Sequence, residues 1–170
     1  ISKKKVYFTK KYLREIYLDN DKPSFTTLSH VICGSDQIWA PNVYSPYYML
    51  DFVPNEVNKV SYAASIGLEY IPDNLKESYK KYVGRINHVS VRENKGHELL
   101  KKRCGIDSKV VLDPTLLLEK REWDKIKVRS TIEKKYIFCY FLRVNHNYKK
   151  LVKGYADEYG YEIYGVSDNE

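Results

Sequence analysis

The chain has 170 residues, 43% of them hydrophobic and 30% charged, a balance that excludes a disordered or fibrous polymer and fits one or two folded domains. No stretch approaches the roughly 18 uninterrupted apolar residues of a membrane helix, and the opening Ile1-Ser2-Lys3-Lys4-Lys5 lacks the apolar core of a secretory signal, so the chain reads as cytosolic. A net charge of +7 would suit nucleic acid or an anionic surface, but lysines such as Lys76, Lys80 and Lys81 fall on helical patterns as a solvated face would, and no nucleic-acid motif is visible.

In chain order, helical periodicity is expected over Lys5–Tyr17, followed by an apolar run of strand length at Ser29–Cys33. A second run covers Val60–Ala64, a helix Asn74–Arg85, and a third run Val89–Val91. A helix follows over Glu93–Cys104, where Leu99, Leu100 and the closing Cys104-Gly105 give an amphipathic face and a glycine stop. The run Val110–Leu112, a short helix Arg121–Lys127, a strand Tyr136–Leu142, a helix Asn147–Tyr159 and a strand Tyr161–Val166 complete the pattern. Strands alternating with helices predict an α/β fold with a mostly parallel sheet. The charged stretch 120–135 carries no strand pattern, which places a domain boundary near residue 133, with 134–170 as the opening of a second unit. Met49 is the only methionine and the first residue is Ile1, so the chain reads as a piece of a longer protein. Cys33, Cys104 and Cys139 are an odd number at wide spacing, and they read as buried reduced thiols rather than a disulfide frame or a zinc site.

In open parallel sheets ligands bind at the carboxyl ends of the strands, and each run here ends in polar residues. Ser29–Cys33 leads into Gly34-Ser35-Asp36-Gln37, Val60–Ala64 into Ser65-Ile66-Gly67, Val89–Val91 into Arg92-Glu93, and Val110–Leu112 into Asp113-Pro114-Thr115. Gly34 permits a sharp turn, and Asp36 either faces a ligand or merely caps that turn. Gln37 offers two donors and an acceptor. Trp39 offers a face for a sugar ring or for packing, with packing favoured. Arg92 is anchored at a sheet edge, where its planar fork suits a carboxylate or phosphate; the competing reading is an ion pair with Glu93 or Asp113. Asp113 before Pro114 reads first as a turn device. The four histidines are dispersed, no ligand spacing suggests a metal, and neither G-x-G-x-x-G, a P-loop nor a G-x-S-x-G elbow occurs.

The blocks "VICGSDQIWAP", "YMLDFV", "KVSYAASIG", "INHVSVRENKGHELL" and "VVLDPTLLL" followed by Trp123, in this order, resemble the polysaccharide pyruvyl transferase family over roughly Tyr12 to Tyr164. The resemblance implies two Rossmann-like halves facing across a cleft, akin to a two-domain glycosyltransferase, with the first half (1–133) incomplete and the second only begun. It implies transfer of a pyruvyl unit from phosphoenolpyruvate to a sugar of a bacterial cell-surface polysaccharide as a ketal, without a cofactor. Phosphoenolpyruvate and a glycan or lipid-linked sugar would be the partners, with the enzyme cytosolic or at the inner face of the membrane. Asp36 is the candidate catalytic group for proton transfer or hydroxyl orientation, and Arg92 the candidate anion binder. Gly34, Ser35, Gln37, Trp39, Ser65, Gly67, Glu93 and Asp113 complete the candidate substrate-binding set, with no metal. Three features depart from the family: Ala40 stands where an asparagine is common, and both the glycine-rich opening and the histidine block of the second half lack a counterpart. The 170 residues alone are therefore expected to be inactive. A non-catalytic sugar- or anion-binding module, a nucleotide-sugar glycosyltransferase and a nucleic-acid-binding domain stand as alternatives.

Overall fold

A computed structural model describes residues 25, 28–128, 130–141 and 146–167; the helix expected over Lys5–Tyr17 lies outside them. The strands form on the valine- and isoleucine-bearing runs, and their pairings are parallel. β1 (His30–Cys33) pairs with β2 (Asn58–Ser61), setting Ile32 beside Val60. β3 (Ser90–Val91) pairs with β4 (Lys109–Val110). Two isolated parallel bridges, Val60 with His88 and Ala64 with Val91, join the β2 segment to the β3 segment. The four strands therefore lie side by side in chain order.

Between those bridges the β2 segment advances four residues while its partner advances three, which is the mark of a bulge. Ala63 absorbs the extra residue at φ 51°. Two hydroxyls repair the interrupted ladder: Ser61 Oγ donates to the Ser90 carbonyl at 3.1 Å, and Ser90 Oγ donates to the Ser61 carbonyl at 2.6 Å. The amide of Ala63 in turn donates to Ser90 Oγ at 3.2 Å. The strand expected over Val60–Ala64 is thus a ladder at Asn58–Ser61 followed by a bulge, because serine side chains replace backbone partners there.

Parallel neighbours need crossovers. α1 (Asp73–Val83) supplies the one between β2 and β3. Asp73 in its first turn and Lys80 and Lys81 in its last turn complement the helix dipole. Leu75, Tyr79, Tyr82 and Val83 fall on one face and pack into the core. α2 (Asn94–Leu99) links β3 to β4 and widens into a π turn over Leu100–Cys104. Gly105 ends it at φ 72°, with its amide bonded to the Lys101 carbonyl at 3.1 Å and that of Ile106 to Leu100 at 3.1 Å. The connection from β1 to β2 is made by short 3-10 turns, Pro41–Val43 and Pro46–Met49, each opened by a proline.

The core gathers Trp39, Met49, Val53, Ile66, Tyr79, Val83, Val91 and Leu100. Lys59 is also buried, at 1% exposure, and its Nζ donates to the carbonyls of Pro54 (2.6 Å) and Val57 (3.0 Å). Burial, and secondarily Arg85, lowers its pKa below the ordinary lysine value. Cys33, Cys104 and Cys139 are buried free thiols, and burial pushes Cys33 up to about 12. Two runs expected to be buried are not wholly so: Ile32 is 66% exposed and Leu112 63%. Among the described residues Ile32 lies on the first strand of the row and Leu112 just past the last.

The contacts divide the chain into two compact units, Ile1–Arg121 and Glu122–Glu170. The short helix α3 (Lys120–Asp124) falls at the division. In the second unit β5 (Tyr136–Phe141) pairs in parallel with β6 (Glu162–Ser167), and α4 (His146–Tyr159) connects them. Cys139 and Ala156 are buried there, while Phe138 and Tyr140 are exposed. The whole is a mixed helix and strand structure with short parallel sheets, compatible with the expected α/β class. Among the described residues no helix is long and apolar enough to cross a membrane.

Candidate functional site

Gly34 makes the site possible. Its φ of 150° and its approach to the Tyr62 carbonyl leave no room for a Cβ, which would collide with that oxygen. The loop after β1 is therefore laid directly onto the segment after β2. The Tyr62 amide donates to the Cys33 carbonyl at 2.8 Å, the Ser65 amide to Ser35 at 2.9 Å and the Trp39 amide to Ser65 at 3.0 Å.

Onto this platform Arg92 projects from the end of β3, 28% of its side chain exposed. Its Nη2 donates to Asp36 Oδ1 at 2.8 Å and to Ser65 Oγ at 3.2 Å. Nη1 donates to Asp113 Oδ2 at 3.0 Å, and Nε to Glu93 Oε1 at 3.1 Å. The carboxylates are themselves braced. Ser65 Oγ donates to Glu93 Oε1 at 2.5 Å and Ser35 Oγ to Asp113 Oδ2 at 3.2 Å. The other oxygen of Asp113 accepts from the Thr115 amide at 3.0 Å and the Thr115 hydroxyl at 2.7 Å.

The electrostatics follow from these contacts. Thr115 first, then Arg92, holds the Asp113 carboxyl well below the usual carboxylate range. Hydrogen bonds to Asp113 and then Asp36 raise Arg92 further above its ordinary value, partly opposed by burial. Three carboxylates around one guanidinium leave a formal excess of two negative charges, in a chain whose net charge is +7. A cavity of about 660 Å³ opens beside the cluster, walled by Tyr62, Val110, Val111, Leu112, Leu116 and Leu117, with Arg92 and Asp113 as its charged lining.

Seven expected site residues come together here: Gly34, Ser35, Asp36, Ser65, Arg92, Glu93 and Asp113. Arg92 makes the ion pairs of its competing reading, with Glu93 and Asp113, and adds Asp36. Asp113 is both the turn cap expected of it and a partner of the cluster. Gln37, at φ 46°, lies over Gly67, where an added Cβ would sit 3.2 Å from Gln37 Cγ. Trp39 takes the packing role favoured for it over a ligand-facing one: it is 0% exposed, and its indole N–H donates to the Tyr48 carbonyl at 3.0 Å. His30 and His97 pair with Ser29 and Ser108 instead. Among the described residues no group of three or more His, Cys, Asp or Glu could hold a metal ion.

Sequence reasoning assigned no role to Thr115, the second brace of Asp113, or to Tyr62, whose carbonyl sets the need for Gly34. Thr115 was findable, since a donor two residues after an aspartate is the pattern of an Asx turn. Tyr62 carried no local signal. Comparison with curated proteins and with solved structures returned no match. The family model of polysaccharide pyruvyl transferases matches residues 1–168, nearly the entire chain and every strand end that builds the Arg92 cluster, so the chain belongs to the polysaccharide pyruvyl transferase family.

Proposed function

We propose that the protein moves the pyruvyl unit of phosphoenolpyruvate onto two hydroxyls of a sugar, on a glycan or a lipid-linked precursor, as a ketal. The observation that carries this reading is the convergence on Arg92 of polar residues from four separate strand ends, inside a chain the family model matches over residues 1–168. The resemblance further suggests that a second Rossmann-like half completes the enzyme.

The chemistry needs a proton delivered to the donor methylene carbon, which becomes a methyl group, and attack by one sugar oxygen on the neighbouring carbon. Phosphate leaves, and the second hydroxyl closes the ring. One hydroxyl proton balances the proton taken up at carbon and the other leaves with phosphate. A carboxylate beside the attacking hydroxyl lowers this barrier by accepting its proton. Asp36 suits that role, being 75% exposed and oriented by its 2.8 Å bond to Arg92.

The test is to incubate the full-length protein with phosphoenolpyruvate and diol-bearing sugars, following phosphate release and acceptor mass. Phosphate release coupled to a pyruvylated sugar is expected. Consumption of a nucleotide-sugar instead, with phosphoenolpyruvate untouched, would reassign the protein to ordinary glycosyl transfer.

A further inference from the structure

An arginine at a sheet edge suggests a clamp for the donor's carboxylate or phosphate. The geometry around Arg92 argues otherwise. Each of its three nitrogens already donates to a carboxylate of this chain. Two of those carboxylates are tied independently, Asp113 by Ser35 and Thr115 and Glu93 by Ser65. Four of its five N–H donors are taken, so an anion would have either to use the one remaining Nη1 N–H or to displace Asp36, and in both cases would lie against two fixed negative charges. Among the described residues the adjoining cavity offers it no surplus cation, because Arg92 and Asp113 cancel as its charged lining. Its remaining walls, Tyr62 and aliphatic side chains, suit a sugar ring, which has an apolar face and a hydroxylated edge.

We propose that Arg92 is a positioning residue for the acceptor: it gathers Asp36, Glu93 and Asp113 at the strand ends so that Asp36 meets a sugar hydroxyl, while the donor's anionic groups are held by cations outside this cluster. This rests on the transferase reading. In the reacting step the hydroxyl O–H bond breaks toward Asp36 as the sugar oxygen bonds to the donor carbon, whose C=C π pair is taken up by the proton delivered to the methylene carbon.

The test uses the full-length protein, with phosphoenolpyruvate as calorimetric probe and the sugar titrated in steady-state assays. In Arg92→Ala the Kd for phosphoenolpyruvate is expected to stay within about threefold of wild type, since salt screens a charge change at a site more than about 10 Å away. The kcat/KM for the acceptor is expected to fall by about 100-fold or more, the usual size of a lost proton-transfer arrangement. A purely structural defect would weaken donor and acceptor together. Because Arg92→Ala leaves three carboxylates uncompensated and is a risk to folding, Asp36→Asn provides a second arm that keeps the cation. It is expected to lower kcat by about 100-fold with donor Kd again within about threefold. Loss of donor binding by about tenfold or more in Arg92→Ala, or its tightening by about tenfold in Asp36→Asn as a competitor is removed, would overturn the proposal while leaving the transferase intact. A wild-type protein that neither binds phosphoenolpyruvate nor releases phosphate removes the transferase reading, and this inference with it.

Discussion

The ends of β1, β2 and β3 and the end of β4 look alike in sequence, each an apolar run closing on polar residues, yet they are built differently. The first three are welded together: Cys33, Ala64 and Val91 are buried, and backbone bonds tie Cys33 to Tyr62 and Ala64 to Ser90. After β4 the chain passes the exposed Leu112, is tied back to the cluster through Asp113 and Thr115, and runs on through Leu116 and Leu117, both exposed. The segments after β1, β2 and β3 bury their ends against one another and the core, whereas the residues after β4 pack little against it. The welded side supplies the platform. The open side supplies the cavity wall.

Four substitutions probe this contrast. Trp39→Ala attacks the welded side and should cost most, about 3–5 kcal/mol, because a fully buried aromatic leaves a cavity and the Tyr48 carbonyl loses its donor. Urea denaturation measures it, and a loss below about 1 kcal/mol would mean the loop after β1 is not part of the core. Lys59→Met keeps the apolar stem but removes the charged donor from the Pro54 and Val57 carbonyls. A loss of about 2 kcal/mol is expected from the same unfolding curves.

Asp113→Asn tests the tie between the two sides through its pH dependence. The folded carboxyl titrates below its ordinary value, so its stabilisation is fully present above the unfolded carboxylate pKa of about 4. It is lost as the pH falls through that value toward the lower folded one. The variant should therefore melt below wild type at neutral pH, and the two melting temperatures should converge on acidification. A gap that stays constant with pH would show that Asp113 contributes shape rather than charge. Leu112→Ala, on the open side, should change stability by no more than about 0.5 kcal/mol in urea unfolding, since its side chain is already in water. A cost like that of Trp39→Ala would erase the contrast.

Much of the molecule was legible in the residues. Strand and helix positions followed from local periodicity, with α1 and α4 differing from expectation by only one or two residues at their ends. Glycine after Cys104 marked the end of the helical segment, and the cluster members were recognisable because they follow apolar runs. The bulge at Ala63 was not legible, since two serines repair it through side chains whose partners lie 27 to 29 residues away. Lys59 was equally hidden. A lysine in a strand is ordinarily solvated, and only the carbonyls of Pro54 and Val57 folding over it make a buried ammonium tolerable.

By itself the sequence determined the alternation of strands and helices, the polar composition of each strand end and the family, because these depend on residues close together in the chain. The tertiary structure decided which runs are buried, that Trp39 faces inward, and that Arg92 is enclosed by carboxylates. Those outcomes depend on pairing and charge between segments far apart in sequence: Asp36 and Arg92, 56 residues apart, meet only because parallel strands carry their ends to one edge.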